Sequence, residues 1–385
     1  MPQVASIRAS AITEAELGQL SRSLDGPPVL VTAFASSSID LGAVLSTLNE
    51  RFRDAVVLGS STSGEFTEDG DGNGTVAVFA LSGDYRVFAG MAVGLAASPE
   101  RAVQAALEGQ PTAVAEFPHR TNIVLLDSLA GHGEEAALLV AASIGDVPLV
   151  GGAAGDDLAM KQTVVGLGAR AAPDAIVVAS IYSREPLGIG VCHGHKPLTD
   201  PIRVTRANGS VVEELDGRPA WDVWREKTAS RARELGLDAE ASPGAYLLRF
   251  EAGLRIGHEY KVRAPLSPKP GGGILFATPV LEGTVFRIME SDPSAQVESA
   301  ATAAREAREA LGGKPVEGAL VFDCICRKLI LGDRYVDALT SVSAELGSVP
   351  LAGFETYGEV AMNSGDMSGF HNTTTVVLAF PRHDD

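Results

Sequence analysis

The sequence lacks any long apolar segment. No run reaches the ~18 to 20 apolar residues that a membrane-crossing helix needs. The first twenty residues, MPQVASIRASAITEAELGQL, also lack the basic segment and apolar core of a secretory signal peptide. These two absences predict a soluble, cytoplasmic protein.

Cysteine is scarce, and basic residues are outnumbered. The three cysteines, Cys192, Cys324 and Cys326, are too few and too unevenly spaced for a disulfide framework, so we expect a reducing compartment. The 31 Lys and Arg residues stand against 49 Asp and Glu residues, a formal net charge of −18. Because this charge repels phosphate backbones and anionic lipid headgroups, we expect neither nucleic acid nor a membrane as a partner.

A recurring unit is the main organisational feature of the chain. An apolar run, a helical segment and a second apolar run that ends in glycine occur in this order three times. The spacing from the first run to that glycine is 24 residues in 35–59, 24 in 127–151 and 30 in 323–353. The glycine turns that follow are GSSTSGE, GGAAGD and GFETYGE.

The units predict strand, helix, strand, and the simpler apolar runs between them are typical of antiparallel strands. Since a crossover helix covers one face of its sheet, the other face must pack on another sheet. With 45% hydrophobic side chains in 385 residues, one core is not expected to serve the whole chain. We predict an α/β fold of two duplicated domains, 1–210 and 211–385, with mixed sheets stacked face to face and helices outside.

Two longer helices are predicted in the second half. One begins at DGRPAW, with Asp216 as its N-cap and Trp221 and Trp224 on one face. The other begins at Pro293 and is closed by Gly312.

Six motifs in order resemble the FIST family of bacterial signalling proteins, which pair FIST-N and FIST-C sensory domains. They are GSSTSGEF, PLVGGAAGDD, GVCHGHKPL with EELDGRPAW, FDCICRK, PLAGFETYGEVA and GFHNTTTVVLAF, and the resemblance runs from about residue 28 to 380. The two predicted domains would then be FIST-N-like and FIST-C-like.

The resemblance implies a ligand-binding input module for small molecules such as amino acids. Such modules are often joined to chemotaxis, histidine-kinase or cyclic-dinucleotide domains. This chain ends at Asp385 without an output domain. We therefore expect it to signal through a separate histidine kinase or cyclic-dinucleotide enzyme.

The Gly-x-x-x-x-Gly-Glu turns are one candidate binding site. A strand that ends in glycine and small hydroxyl residues brings backbone amides close to whatever lies beyond its carboxyl end. We expect the turns at 59–65 and 353–359 to lie near one another, with Glu65 and Glu359 facing a ligand. In the alternative, the glycines only make tight strand exits and both glutamates cap local amides.

The segment FDCICRK supplies a candidate carboxylate clamp. As a continuous strand it places Asp323 and Arg327 on one face, and an arginine grips a carboxylate with two parallel hydrogen bonds. An amino acid also needs an anion for its ammonium group, and Glu359 supplies one. The alternative for Arg327 is a structural ion pair with Asp323 or Glu359. The predicted ligand-binding residues are Arg327, Glu359, Tyr357, Asn372, Gly353 and Gly358, with Glu65 from the first turn.

Histidine and cysteine raise the question of cofactors. Some relatives in the family are described as haem-containing nitric-oxide sensors, and any of five histidines could serve as an axial ligand. No CxxCH haem-attachment motif is present. Cys324 and Cys326 alone do not provide the four ligands that zinc prefers. We predict no cofactor and no metal site, with haem as the alternative. The histidines are His132, His193, His195, His258 and His371.

Catalysis is the rival class of function. Ser128 lies four residues before His132, so a nucleophile and a base can be imagined. The chain has no Gly-x-Ser-x-Gly elbow. We predict a binding protein without catalytic residues, and an enzyme acting on a small polar substrate is the alternative.

Overall fold

The computed structural model describes residues 3–362 and 369–382. It contains three copies of one unit, and a further sheet is inserted in the third copy. The first copy comprises β1 (Val4–Ala9), α1 (Glu14–Ser23), β2 (Pro28–Ser36), α2 (Leu41–Arg51), β3 (Val56–Thr62), β4 (Glu65–Thr67), β5 (Gly70–Gly72) and β6 (Val76–Ser82).

The second copy repeats this order of elements. It comprises β7 (Tyr85–Val93), α3 (Pro99–Leu107), β8 (His119–Leu126), α4 (Gly133–Ile144), β9 (Leu149–Ala153), β10 (Val165–Leu167), β11 (Arg170–Ala172) and β12 (Ala175–Ser183).

The third copy begins with β13 (Gly188–Cys192) and is then interrupted by an insertion. The insertion comprises β14 (His195–Pro197), β15 (Ile202–Asn208), β16 (Val211–Leu215), β17 (Arg218–Pro219), α5 (Ala220–Glu234), α6 (Pro243–Arg249), β18 (Phe250–Ile256), β19 (Glu259–Arg263), β20 (Pro265–Pro268), β21 (Ile274–Phe276) and β22 (Val285–Ser291).

After the insertion the third copy resumes with the same plan. It continues as α7 (Pro293–Glu309), β23 (Val316–Cys324), α8 (Ile325–Leu331), α9 (Tyr335–Leu346), β24 (Leu351–Thr356), β25 (Glu359–Met362), β26 (Gly369–His371) and β27 (Thr375–Pro381).

Each copy forms a six-stranded mixed sheet around one parallel pair, β2–β3, β8–β9 or β23–β24. The two edge strands at the far end of each sheet come from another copy. Hairpin β10–β11 of the second copy joins β3, hairpin β25–β26 of the third joins β9, and hairpin β4–β5 of the first joins β24. This cyclic exchange relates the three sheets by approximate threefold symmetry.

The inner faces of the three sheets share one core, which includes Phe34, Leu125, Val177, Phe322 and Phe354. Their outer faces are covered by helices, α1 and α2 on the first sheet, α3 and α4 on the second, α7 and α9 on the third. The prediction of an α/β fold with mixed, packed sheets and helices outside is confirmed.

The insertion is an antiparallel sheet of strand order β19–β18–β22–β15–β16–β21–β20, with β14 and β17 attached. It has its own core around Trp224, Phe250 and Phe286. The predicted boundary at residue 210 lies within it, between β15 and β16, and stays a prediction. Among the described residues, no helix is long and apolar enough to span a bilayer.

Two local predictions were wrong. Asp216 is not a helix N-cap, because it adopts a left-handed φ of 48° in the tight turn between β16 and β17, and α5 begins at Ala220. FDCICRK is not one strand either. Strand β23 ends at Cys324 and α8 begins at Ile325, so Arg327 lies one helical turn after Asp323 rather than on the same strand face. The helix predicted from Pro293 is present, with Asp292 as its N-cap and Gly312 three residues after its end.

Candidate functional site

The three glycine turns meet at the carboxyl ends of the parallel strands. The Ser63 amide donates to the Glu355 carbonyl at 3.1 Å, and the Glu355 amide donates to the Gly64 carbonyl at 2.8 Å. The Gly155 amide donates to the Ser61 carbonyl at 3.0 Å, which joins the second turn to the first. The Ala153 amide donates to the Gly358 carbonyl at 2.8 Å and joins the second turn to the third. The predicted proximity of the turns at 59–65 and 353–359 is therefore confirmed.

Glu65 and Glu359 occupy equivalent places in these turns, and both are fully buried. Glu65 accepts hydrogen bonds from the Thr62 hydroxyl and the Thr75 amide, each at 2.8 Å. Glu359 accepts one from the Thr356 hydroxyl and one from the Thr374 amide at 3.1 Å. Burial raises the pKa of both carboxyl groups. These contacts match the alternative in which the two glutamates cap local amides.

Arg327 lies inside the third copy with no exposed surface. Its Nε donates to Asp323 Oδ1 at 2.7 Å, and its Nη1 donates to the Ser299 hydroxyl at 2.9 Å. Its Nη2 donates to the Gln296 carbonyl at 2.8 Å. The guanidinium group is thus held by the protein itself, as in the structural ion pair with Asp323 that the sequence left open.

Gly353 and Gly358 are required by packing. A Cβ built on Gly353 would lie 2.3 Å from the Val321 carbonyl oxygen and 2.3 Å from the Phe66 ring. A Cβ on Gly358 would lie 2.1 Å from the Phe370 ring. The absence of a side chain at these two positions therefore makes room for the rings of Phe66 and Phe370. Their predicted approach to a ligand stays a prediction.

A cleft of about 950 Å³ lies between α4 of the second copy and the inserted sheet. It is the place where the N-terminal half of the chain faces the insertion. Its walls are largely apolar, and charged groups converge at one side, the composition expected of a small-molecule site. The lining residues used below are Glu134, Arg263, Tyr357, Phe370, Leu138 and Leu281.

An ion pair forms the polar side of this cleft. Arg263, which is 3% exposed, donates from Nη2 to Glu134 Oε1 and from Nη1 to the Phe370 carbonyl at 3.1 Å. Its buried Nε has no hydrogen-bond partner. Lys261 Nζ lies 3.6 Å from the same Glu134 oxygen, and burial lowers the pKa of Lys261 to about 8. Two cations therefore converge on one carboxylate beside the cleft.

Two of the predicted ligand residues lie at this cleft or beside it. Tyr357 lines it, donates its hydroxyl to Asp156 Oδ1 at 2.5 Å and accepts from the Leu158 amide at 2.7 Å. Asn372 is buried next to it, where its Oδ1 accepts from the Thr278 hydroxyl at 3.4 Å. Glu65, Glu359, Arg327, Gly353 and Gly358 do not line the cleft.

Glu134 and Arg263 were missed by the sequence analysis. Glu134 belongs to LAGHGEE, where the second repeat continues into α4, and only its place in the first turn of a helix marks it. Arg263 belongs to a strand of the insertion, EYKVR, that no repeat predicts. Their contact joins residues 129 positions apart, so no local pattern could reveal it.

The structure also locates the residues of the alternative predictions, a catalytic serine and histidine pair and a metal site. The Ser128 hydroxyl donates to the Ala154 carbonyl at 2.7 Å, whereas His132 Nδ1 lies 2.9 Å from Glu135 Oε2, so these two do not pair. In the part of the chain that the structure describes, no three His, Cys, Asp or Glu side chains are grouped for a metal ion.

The three mixed sheets with the inserted antiparallel sheet define a protein of the mixed α/β class. Residues 29–218 match the FIST N domain and residues 220–362 match the FIST C domain. The chain belongs to the FIST family, whose domains are sensory domains of signal transduction.

Several curated proteins are similar to this chain. Uncharacterized protein Rv0628c of Mycobacterium tuberculosis is 29% identical over 205 residues, which cover 49% of this chain and 50% of that protein. Uncharacterized protein MJ1623 of Methanocaldococcus jannaschii is 25% identical over 199 residues, 49% of this chain and 37% of that protein. The matches thus span half or less of the length of these curated relatives.

Among solved structures, the crystal structure of a cyanuric acid hydrolase from A. caulinodans aligns with 99% of this chain and 100% of its own. The identity is 8% and the TM-score 0.36, so this likeness carries no functional argument.

Proposed function

We propose that the chain is a cytoplasmic sensory protein that binds a small polar metabolite carrying both charges, such as an amino acid, in the cleft between α4 and the inserted sheet. It binds the ligand without converting it and signals through a separate histidine kinase or cyclic-dinucleotide enzyme. The Glu134–Arg263 pair is the observation that carries this proposal, because it places an anion and a cation together at the side of an open cleft.

A zwitterion can insert into this pair. The carboxylate of the ligand would accept hydrogen bonds from the guanidinium of Arg263, including its Nε, which has no partner. The ammonium group of the ligand would donate to the Glu134 carboxylate. The side chain of the ligand would contact the apolar wall formed by Leu138 and Phe370. Because the two walls belong to different parts of the chain, ligand binding can change how the inserted sheet sits on α4, and a partner can sense that change.

The first experiment is a thermal-shift screen of the purified protein against amino acids and related metabolites. A ligand at 100 times its dissociation constant adds about 2.7 kcal/mol to the free energy of unfolding. Any hit is then measured by isothermal titration calorimetry and assayed for turnover. A library without a hit, or a hit that the protein converts, would contradict the proposal.

Variants then locate the site. We expect Glu134→Gln and Arg263→Lys each to weaken binding at least ~30-fold, since breaking one side of a desolvated charge pair costs about 2 to 5 kcal/mol. Glu317→Gln is the matched control, because Glu317 is a buried carboxylate paired with Arg382 at the amino end of β23. If all three variants bind the ligand with the affinity of the parent protein, the ligand binds elsewhere.

A further inference from the structure

A second cavity, of about 550 Å³, lies apart from the cleft. It is enclosed by edge strand β13, helix α7, strand β19 of the insertion and hairpin β25–β26. None of its lining residues lines the cleft. The lining residues used below are Val191, Cys192, Glu259, Glu306, Glu309 and His371.

The threefold repeat identifies what occupies the equivalent space elsewhere. Each copy of the unit begins with a strand, β1, β7 or β13, that forms one edge of its sheet. The hairpin of the same copy, which belongs to the adjoining sheet, lies next to this strand, and we call the junction between the two a seam. The first seam joins β1 to β4–β5, and the cavity lies in the third seam, between β13 and β25–β26. The hydrogen bonds that Glu65 and Glu359 accept from Thr75 and Thr374 align the two seams.

This alignment assigns equivalent residues. Gly72 pairs with Glu65 as His371 pairs with Glu359, so Gly72 and His371 correspond. Ala9 pairs with Val76, the residue after Thr75, and Cys192 pairs with Thr375, the residue after Thr374, so Ala9 and Cys192 correspond. Arg8 precedes Ala9 and Val191 precedes Cys192, and these two residues therefore occupy the same place in their seams.

A guanidinium group fills the first seam. The Arg8 side chain lies against Gly72, where a Cβ would come within 2.3 Å of Arg8 Nη1. In the third seam His371 stands in place of Gly72, so its Cβ lies at the point that Arg8 Nη1 approaches in the first seam. The shorter Val191 leaves the neighbouring space open as the cavity. The fold thus has room for a cation beside Val191 and His371, where its own sequence supplies none.

The third seam is also acidic. Glu259, Glu306 and Glu309 line the mouth of the cavity, and none of its described lining residues is Lys or Arg. Glu306 accepts the Val191 amide at 3.3 Å, which holds that carboxylate at the cavity wall. Burial, with the charge of Glu306 beside it, raises the pKa of Cys192 to about 11.

His371 provides an independent sign of a ligand. It lines the cavity and is 8% exposed, and its Nε2 is buried without a hydrogen-bond partner. Burial, with Lys261 and Arg263 nearby, lowers the pKa of His371 to about 3, so the ring is neutral and has an acceptor nitrogen. Both of those cations belong to the Glu134 cluster at the cleft. A buried acceptor without a partner is costly unless a donor reaches it.

We propose that the cavity in the third seam binds a small organic cation, an alkyl ammonium or guanidinium compound, whose charged group lies in the space that Val191 leaves open beside His371. The three glutamates attract the cation to the mouth, and His371 accepts a hydrogen bond from it at the inner wall. This site is separate from the cleft and does not depend on the function proposed for it.

Agmatine and putrescine are suitable probes, with uncharged 1,4-butanediol as the reference compound. Titration calorimetry at about 150 mM salt suppresses loose attraction to the net negative surface. We expect saturable binding of one molecule of an amine per chain and none of the diol. Absence of saturable amine binding would overturn the proposal.

Two variants test the location. Val191→Arg should place a long cationic side chain in the cavity and weaken amine binding at least ~30-fold by occlusion and charge repulsion. Glu306→Gln removes one carboxylate and should weaken it about 5-fold. The control is Glu298→Gln, an exposed acid on α7 that does not line the cavity, which should leave affinity unchanged.

Circular dichroism and the unfolding midpoint establish that each variant is folded. If Val191→Arg is unfolded, Glu306→Gln alone decides, because its charge change lies at the cavity mouth. Parent-like affinity in Glu306→Gln, or an equal loss in Glu298→Gln, would show that the amine binds the acidic surface and would overturn the proposal.

Discussion

Glu251 is a buried carboxyl group beside a buried histidine. Its Oε2 lies 3.3 Å from His195 Nε2, and both side chains have no exposed surface. The Thr373 hydroxyl donates to its other oxygen at 3.0 Å. Burial raises the pKa of Glu251 to about 8, well above the ~4.3 of an unfolded chain. The folded protein therefore holds a proton that the unfolded chain has lost between these two pH values.

We expect this proton to make stability fall as pH rises. Because Glu251 keeps its proton to a higher pH in the folded state than in the unfolded state, its contribution to the free energy of unfolding decreases through the window from about pH 4.3 to 8. Between pH 7 and 8 unfolded histidines are mostly neutral, and Glu251 should account for a loss of about 1 kcal/mol. Urea denaturation across this interval, with Glu251→Gln as the variant, measures the loss.

The difference between the parent and Glu251→Gln isolates this residue. Glu355, whose pKa burial also raises to about 8, contributes a slope of the same sign in both proteins. Glu317→Gln should keep the slope of the parent, since Glu317 lies at the amino end of β23. Thr373, which donates to Glu251, lies near the opposite end of β23, where Thr375 pairs with Asp323. An unchanged slope in Glu251→Gln would mean that Glu251 is ionised in the fold.

At the scale of elements, helix α8 contributes a fully buried arginine to an ion pair with the strand that precedes it. Arg327 in this helix reaches back to Asp323 in β23 and across to Gln296 and Ser299 in α7. Removing one member of a buried pair leaves the other charged and desolvated, which commonly costs about 3 to 5 kcal/mol. We expect Arg327→Met to lower the free energy of unfolding by that amount in urea denaturation.

The contrast is with an exposed pair of the same type. Arg334 is 47% exposed and pairs at 3.2 Å with Asp337, which is 51% exposed, so Arg334→Met should cost about 1 kcal/mol or less. If Arg327→Met is as mild as Arg334→Met and also weakens ligand binding, Arg327 has the ligand-binding role predicted from the sequence. A large stability loss with unchanged ligand affinity assigns it to the structure.

Local patterns predicted most elements because each follows from a short stretch of sequence. The β-branched runs became the parallel pairs β2–β3, β8–β9 and β23–β24, and Pro293 begins α7. FDCICRK failed for a physical reason. Its alternation suits a strand, but the chain turns into α8 after Cys324, where a buried Arg327 can meet Asp323 one turn earlier.

The candidate site was predicted less well because its residues come together through the insertion. Tyr357 was found because it belongs to a repeat turn, and that turn does reach the cleft. Arg263 lies on a strand with no repeat partner, and its contact with Glu134 depends on where the inserted sheet rests. A periodic pattern predicts which face of an element is buried, but not which distant element covers it.

At the scale of the whole molecule, the exchanged hairpins decide how the chain folds. Hairpin β4–β5, near residue 70, completes the sheet of β23–β24, and hairpin β25–β26 completes the sheet of β8–β9. A core that draws on all three sheets therefore needs both ends of the chain. The inserted sheet differs, since its terminal strands β14 and β22 pair with each other and its core is its own.

This difference predicts the behaviour of fragments. Residues 1–218, which include the match to the FIST N domain at 29–218, should not unfold cooperatively alone. In this fragment β4–β5 and β9 lose their partner strands, and the shared core loses one sheet. Residues 195–291 should fold independently, because they retain every strand of the inserted sheet. Circular dichroism with urea denaturation measures both. A cooperative transition in 1–218 like that of the full chain would show that the first two sheets are stable without the exchanged strands. Failure of 195–291 to fold would show that the insertion depends on its contacts with the rest of the chain, among them those to α4 and to Thr373.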